Sequence, residues 1–211
     1  MKKISRLQFV TTNAKTAEEA LKGGVDWVQL RLKDAGFDEF YIVAKEVQSV
    51  CKKYNATFII NDNVELAKLL GADGVHLGKE DMPPSQAREI LGDGFIIGCS
   101  ANSRKTVMEL ASLPIDYIGL GPYRFTHTKK KLGTILGVSG YKRIIEYMKE
   151  NSVITQPIIA IGGIDEYDIE ELMEIGVYGI AVSGAICNAY SIAAAAAKFK
   201  KIVSNNTKQS I

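Results

Sequence analysis

Short runs of β-branched and aliphatic residues alternate with amphipathic segments along the whole chain. The short runs are LQFVTT, DWVQLRL, TFIIND, DGVHLG, FIIGCS, DYIGLG, PIIAIGG and YGIAVSG. Between and after them lie segments with helical spacing, such as DEFYIVAKEVQSVCKKY, NVELAKLLG, SRKTVMELASL and SIAAAAAKFKKIV. In DIEELMEIG, Ile169, Leu172 and Met173 fall at i, i+3 and i+4, and acids fill the other face. Glycines stand where several of these segments should stop, at Gly24, Gly71, Gly92 and Gly176. In MPPSQAREIL, prolines precede the helical pattern and Ser85 is the expected cap. The pattern predicts eight strands and eight helices in strict alternation.

Strict βα alternation implies parallel strands. Eight such units in 211 residues predict a closed, single-domain (β/α)8 TIM barrel, at the small end of that fold's range. The competing architecture is an open doubly wound sheet. It would carry a glycine-rich GxGxxG turn after the first strand, and this chain has none there. The barrel is expected over residues 1–203, with a polar tail at 204–211, SNNTKQSI.

A barrel sorts the residues of each strand. In WVQLRLKD, one face carries Val28, Leu30 and Leu32, which should pack beneath helices. The other carries Trp27, Gln29, Arg31 and Lys33. Arg31 and Lys33 close the strand, so they should stand at the C-terminal mouth, where barrel active sites form. Two cations at such a mouth call for an anion; the alternative is a solvated pair. The third strand ends with Asn61, suited to a phosphate oxygen, and Asp62. The fourth delivers Asp81 through HLGKED. Read singly, each aspartate is a loop cap. Read together, opposite two cations, Asp62 and Asp81 suit Mg²⁺, which takes one or two carboxylates plus water and substrate phosphate.

The fifth strand puts Ser100 at the rim. The sixth leads into GPYRFTHTKKK, the longest polar loop of the chain, with Thr126, Thr128 and Lys129. Its lysines read either as part of a site or as a solvated charge run. The last two strands end in AIGGI and AVSGAI, small residues that let a ligand approach the backbone. Loops after strands 7 and 8 often hold a monophosphate with help from a short helix, which makes Gly163, Ser183 and Gly184 candidates. The mouth thus has two expected anion sites, a metal-assisted diphosphate site and a monophosphate site. Diphosphate is then the natural leaving group.

Composition narrows the partners. The net charge is only +2, which gives no global attraction to nucleic acid. No apolar run approaches the ~20 residues of a membrane span. The start of the chain lacks the apolar core and cleavage site of a signal peptide. Cys51, Cys99 and Cys187 suggest neither a disulfide nor a zinc site, and fit inert thiols in a reducing cytoplasm. The expected partners are small-molecule substrates, with no nucleic acid and no membrane, and with room for a homo-oligomer. Only two histidines occur; His76, in mid-strand, is expected to be structural.

These motifs resemble the thiamine phosphate synthase family through nearly the whole chain. QLRLK is similar to its Q-x-R-x-K on the second strand, and IINDNVELAKLLGADGVHLGKEDMPP to its long central motif. GCS, DYIGLGP, THTK, AIGGI and SGAI follow in the same order. The resemblance implies an alkyl transferase. It joins 4-amino-2-methyl-5-hydroxymethylpyrimidine diphosphate to 4-methyl-5-hydroxyethylthiazole phosphate and releases diphosphate through a dissociative mechanism. By motif position, it implies that Gln29, Arg31, Lys33, Asn61, Ser100 and Lys129 hold the pyrimidine diphosphate. Asp62 and Asp81 would then hold Mg²⁺, and Thr126, His127, Thr128, Gly163, Ser183 and Gly184 the thiazole phosphate. Of these, Arg31, Lys33, Ser100 and Lys129 are the expected catalytic set.

The chain departs from the family at Leu32, where an acid is common, at Phe125, where proline is usual, and at Ser183-Gly184. Three rivals share parts of the pattern. A thiazole tautomerase carries a histidine near the fifth strand where this chain has Asn102. A sugar-phosphate epimerase wants histidine ligands and an acid at strand 7, which here ends Gly162-Gly163. A non-catalytic ligand-binding barrel would tolerate loss of a cation or carboxylate, and all are present.

Overall fold

A computed structural model describes residues 4–125, 134–153 and 156–206. Eight parallel strands close into a barrel in chain order, with the last pairing to the first. They are β1 (Leu7–Thr11), β2 (Trp27–Leu30), β3 (Thr57–Asn61), β4 (Gly74–Leu77), β5 (Ile96–Ala101), β6 (Tyr117–Leu120), β7 (Ile158–Ile161) and β8 (Gly179–Val182). The helices of the first half are α1 (Ala14–Lys22), α2 (Phe37–Lys53), α3 (Val64–Leu70) and α4 (Pro84–Leu91). Those of the second half are α5 (Arg104–Ala111), α6 (Gly137–Glu150), α7 (Ile169–Ile175), α8 (Gly184–Cys187) and α9 (Ile192–Asn205). The expected (β/α)8 barrel is the observed fold.

The alternation seen in β2 separates two cores. Val28 and Leu30 join the large apolar layer between strands and helices, and Leu32 packs against its edge. Trp27 faces inward, with Val10, Ile59, Ile96, Tyr117, Ile159 and Ala181. The strand itself is shorter than expected and stops at Leu30, so Arg31 and Lys33 lie just beyond it. The Arg31 N–H still donates to the Thr11 carbonyl at 2.9 Å, which prolongs the ladder and fixes its direction.

Helix ends follow local chemistry in most places. Asn13, Asn63, Ser103 and Ser191 each accept an N-terminal N–H through the side chain. Gly71 and Gly176 close α3 and α7 in the left-handed region, as expected. Two expectations shift. α1 stops at Gly23, one residue before Gly24. α4 has Pro83 at its N-cap and Pro84 as its first residue, so Ser85 lies inside the helix rather than capping it. Proline's fixed φ suits the first helical position, where its missing N–H costs nothing.

The N-terminal end of the barrel is held by aspartates that precede strands. The Asp73 carboxylate accepts from the Phe58 N–H at 2.7 Å. Asp116 accepts from the Ile97 N–H at 2.7 Å and pairs with Arg88 at 2.7 Å. Arg88 also donates to the Phe95 and Gly92 carbonyls. These groups sit at the far end from the mouth, which leaves the C-terminal ends of the strands for chemistry.

Candidate active site

A cavity of about 690 Å³ opens at the C-terminal mouth. It is lined by Gln29, Arg31, Lys33, Asn61, Asp62, Asp81, Ser100, Gly163, Ser183 and Gly184, so every expected site residue within the described regions meets there. Thr126, His127, Thr128 and Lys129 lie outside the described residues.

One side of the mouth carries charge of both signs. The Asp62 N–H donates to the His76 carbonyl at 2.8 Å, while its backbone takes a left-handed φ of 65°. A non-glycine residue held there is strained, and such strain clusters at functional sites. Asp62 and Asp81 both line the cavity, near enough for the Asp81 carboxylate to act on Asp62. Burial, then the hydrogen bond and repulsion from Asp81, push the Asp62 carboxyl up to about 7, against the pull of Arg31 and Lys33. Asp62 as a whole stays solvent-exposed, at the rim of the mouth. The Arg31 guanidinium is lowered by burial and supported by the same two carboxylates. Asp81 also accepts from the Gly78 N–H at 2.6 Å, so it caps its loop as well as facing its partner.

Two neighbouring carboxylates, with Asp62 raised by the charge of Asp81, are a fitting donor set for a hard divalent cation. Among the described residues no group of three or more His, Cys, Asp or Glu is placed to hold a metal ion. The donors therefore suit a cation that keeps water and takes substrate oxygens, as Mg²⁺ does.

Beneath the mouth runs a buried polar chain that the strand ends did not disclose. The Gln29 carboxamide donates to Gln8 at 3.1 Å, and Gln8 donates to the Tyr117 hydroxyl at 3.3 Å. His76 Nδ1 lies 2.9 Å from that hydroxyl, and His76 Nε2 lies 2.9 Å from Ser100 Oγ. Trp27 meets the Tyr117 ring edge-on, with centroids 4.9 Å apart. Glycine makes the room: a Cβ on Gly98 would fall 2.0 Å from the Tyr117 ring. Burial raises the Tyr117 hydroxyl well above its ordinary range, so it acts as a neutral bridge. His76 thus lines the cavity and hydrogen-bonds Ser100. Strand parity was the available signal, since His76 shares the inward face with Gly74.

The other side of the mouth is backbone. Gly162 and Gly163 have φ of 98° and 70°, a region that L side chains rarely adopt. A Cβ on Gly163 would lie 2.8 Å from the Phe125 carbonyl oxygen. Ser183 precedes α8, the short extra helix, and its carbonyl accepts from the Ile186 and Cys187 N–H groups. Burial pushes the Cys51 and Cys99 thiols up to about 12, which makes both inert.

Fold and site define a (β/α)8-barrel enzyme with its site in a polar cavity at the C-terminal ends of the strands. A family model described as thiamine monophosphate synthase matches residues 4–186, and the chain belongs to that family. The thiamine-phosphate synthase of Phocaeicola vulgatus is 51% identical over 193 residues, covering 89% of this chain and 92% of that one. Thiamine-phosphate synthase 1 of Aquifex aeolicus is 39% identical over 188 residues, covering 88% and 83%. The structure of thiamine phosphate pyrophosphorylase from Pyrococcus furiosus superposes with a TM-score of 0.83 at 32% identity, covering 95% and 96%. The chain is accordingly a transferase of thiamine biosynthesis. None of the described helices is long and apolar enough to cross a membrane.

Proposed function

We propose that the chain condenses 4-amino-2-methyl-5-hydroxymethylpyrimidine diphosphate with 4-methyl-5-hydroxyethylthiazole phosphate, giving thiamine phosphate and diphosphate. The observation that carries this reading is one cavity with a charged side, from Arg31 to Asp81, and a backbone-rich side, at Gly163, Ser183 and Gly184. The first suits a diphosphate and the second a monophosphate.

In this reading the bond between the pyrimidine methylene carbon and the diphosphate oxygen breaks first. The electron pair leaves with diphosphate, and the ring amino group stabilises the cation left behind. Arg31 and Lys33 offset the charge that grows on the leaving group. Asn61, buried at the end of β3, adds a neutral donor to a phosphate oxygen. Gln29 and Ser100, each tied to the buried chain, hold the pyrimidine in one orientation. The thiazole nitrogen, held by its phosphate on the opposite side, then captures the cation. Asp62 and Asp81 would hold Mg²⁺, which would neutralise diphosphate charge when bound. No protein nucleophile or base is required, in keeping with raised cysteine thiols and few histidines.

The test is a product assay. Purified protein, both substrates and Mg²⁺ are mixed, and thiamine phosphate is read as thiochrome fluorescence after oxidation. Product that disappears with EDTA supports the reading. Binding of both substrates with no product would overturn it in favour of a tautomerase or a binding barrel.

A further inference from the structure

Residues 121–125, just after β6, fold against the loop after β7, and one side chain fastens them. Arg124 Nη1 donates to the Gly163 carbonyl at 2.9 Å and reaches Asp165 at 3.1 Å and Asp168 at 3.0 Å. Its Nη2 donates to the second oxygen of Asp168 at 2.7 Å. Asp168 is only 7% exposed and also accepts from the Asp165 N–H at 2.8 Å. The main chains meet too: the Arg124 N–H donates to the Gly162 carbonyl at 2.8 Å, and the Tyr123 N–H to the Ile161 carbonyl at 2.9 Å.

Arg124 does not line the cavity, although Gly162, Gly163 and Ile164 do. Its charge already faces two carboxylates, so it is a poor candidate to bind phosphate itself. What it grips towards the site is a carbonyl. In a trans peptide the C=O and the following N–H point in opposite directions. With the Gly163 carbonyl held by Arg124, the Ile164 N–H is left on the opposite edge of the peptide, and both residues line the cavity. Gly163 has the backbone freedom to swing away if released.

We propose that Arg124 is a positioning residue: it clamps the peptide between Gly163 and Ile164 so that this N–H meets the phosphate of the thiazole substrate. The inference rests on the functional reading above for the identity of that substrate. Asp168 and Asp165 hold the guanidinium in place, and the planar fork makes arginine the fitting residue.

The test compares Arg124→Met, which keeps the stem, with Arg124→Lys, which keeps the charge without the fork. The KM for thiazole phosphate should rise about tenfold in Arg124→Met, as for one lost charge-aligned hydrogen bond. The KM for pyrimidine diphosphate should change by less than about twofold, because its side of the mouth is untouched. Arg124→Lys should recover only part of the loss. Equal rises in both KM values, or no rise in either, would overturn the clamp. Calorimetric titration with inorganic phosphate separates this from the functional reading. If the wild type makes no thiamine phosphate, weaker phosphate binding in Arg124→Met still upholds the clamp. Equal binding in both proteins, or none in the wild type, overturns it. Should Arg124→Met not fold, Asp165→Asn removes one exposed partner, and a smaller shift in the same direction is expected.

Discussion

At the scale of single residues, Asp62 concentrates the conflict that the site maintains. It is left-handed, crowded by Asp81, and carries a raised carboxyl pKa. Without a cation the folded state holds the Asp62 proton more tightly than the unfolded chain does. Its contribution to stability is therefore full below the ordinary carboxyl pKa of about 4 and is lost as pH rises through about 7. Metal-free Asp62→Asn should show a smaller fall in Tm between those limits than the wild type. If both fall equally in EDTA, the crowding is not felt. In assays, Asp62→Ala and Asp81→Ala should each lower Mg²⁺-dependent turnover by about a hundredfold or more. Near-normal rates in both at limiting Mg²⁺ would remove the metal assignment. Both aspartates were legible because strand ends in a barrel converge on the mouth. The chain from Gln29 to Ser100 was not, since it joins residues 109, 41 and 24 positions apart across the barrel. Only a closed structure makes Gln8, Tyr117 and His76 neighbours.

Among the elements, hydrophobic period served well where the segment was long enough to carry it. The eight strands and the helices from α1 to α7 follow the predicted alternation. α8 was not separable in advance, because four residues make about one turn and show no period. Ser85 misled for a different reason: two prolines before it already start α4. The aspartates that begin strands act on a third level, since they tie neighbouring units by side chain to backbone bonds. Asp116 serves both the Ile97 N–H and Arg88, and Ile97 is fully buried. Asp116→Ala leaves that N–H without its side-chain acceptor, which costs about 1–3 kcal/mol. Urea unfolding should show a lower midpoint, while kcat and both KM values stay near wild type, because this end of the barrel faces away from the cavity. A change in KM without a change in midpoint would contradict that division of labour.

The molecule as a whole separates what holds it together from what reacts. Aspartate ties occupy the N-terminal end, inward apolar side chains fill the middle, and the polar chain from Gln8 to Ser100 links that interior to the mouth. The mouth is itself divided, with charged side chains after β2 to β4 and bare backbone after β7 and β8. This division makes a prediction that no single residue could. Arg31 lies on the charged side, partly buried, and Asp62 and Asp81 act on it as opposite charges. On the proposed reading, Arg31→Ala takes away a charge-assisted contact to diphosphate, worth about 1.5–3 kcal/mol, or tenfold and more in affinity. It also leaves the two carboxylates to repel the diphosphate, which adds to the loss on that side alone. Binding of thiazole phosphate, measured by calorimetry without the second substrate, should change by less than about twofold, since its expected contacts at Gly163, Ser183 and Gly184 are on the other side of the mouth. Equal losses for both ligands would mean that the cavity is one undivided anion site. In that case Arg31 would act through the whole field of the mouth, and the assignment of each phosphate to its own side would have to be abandoned.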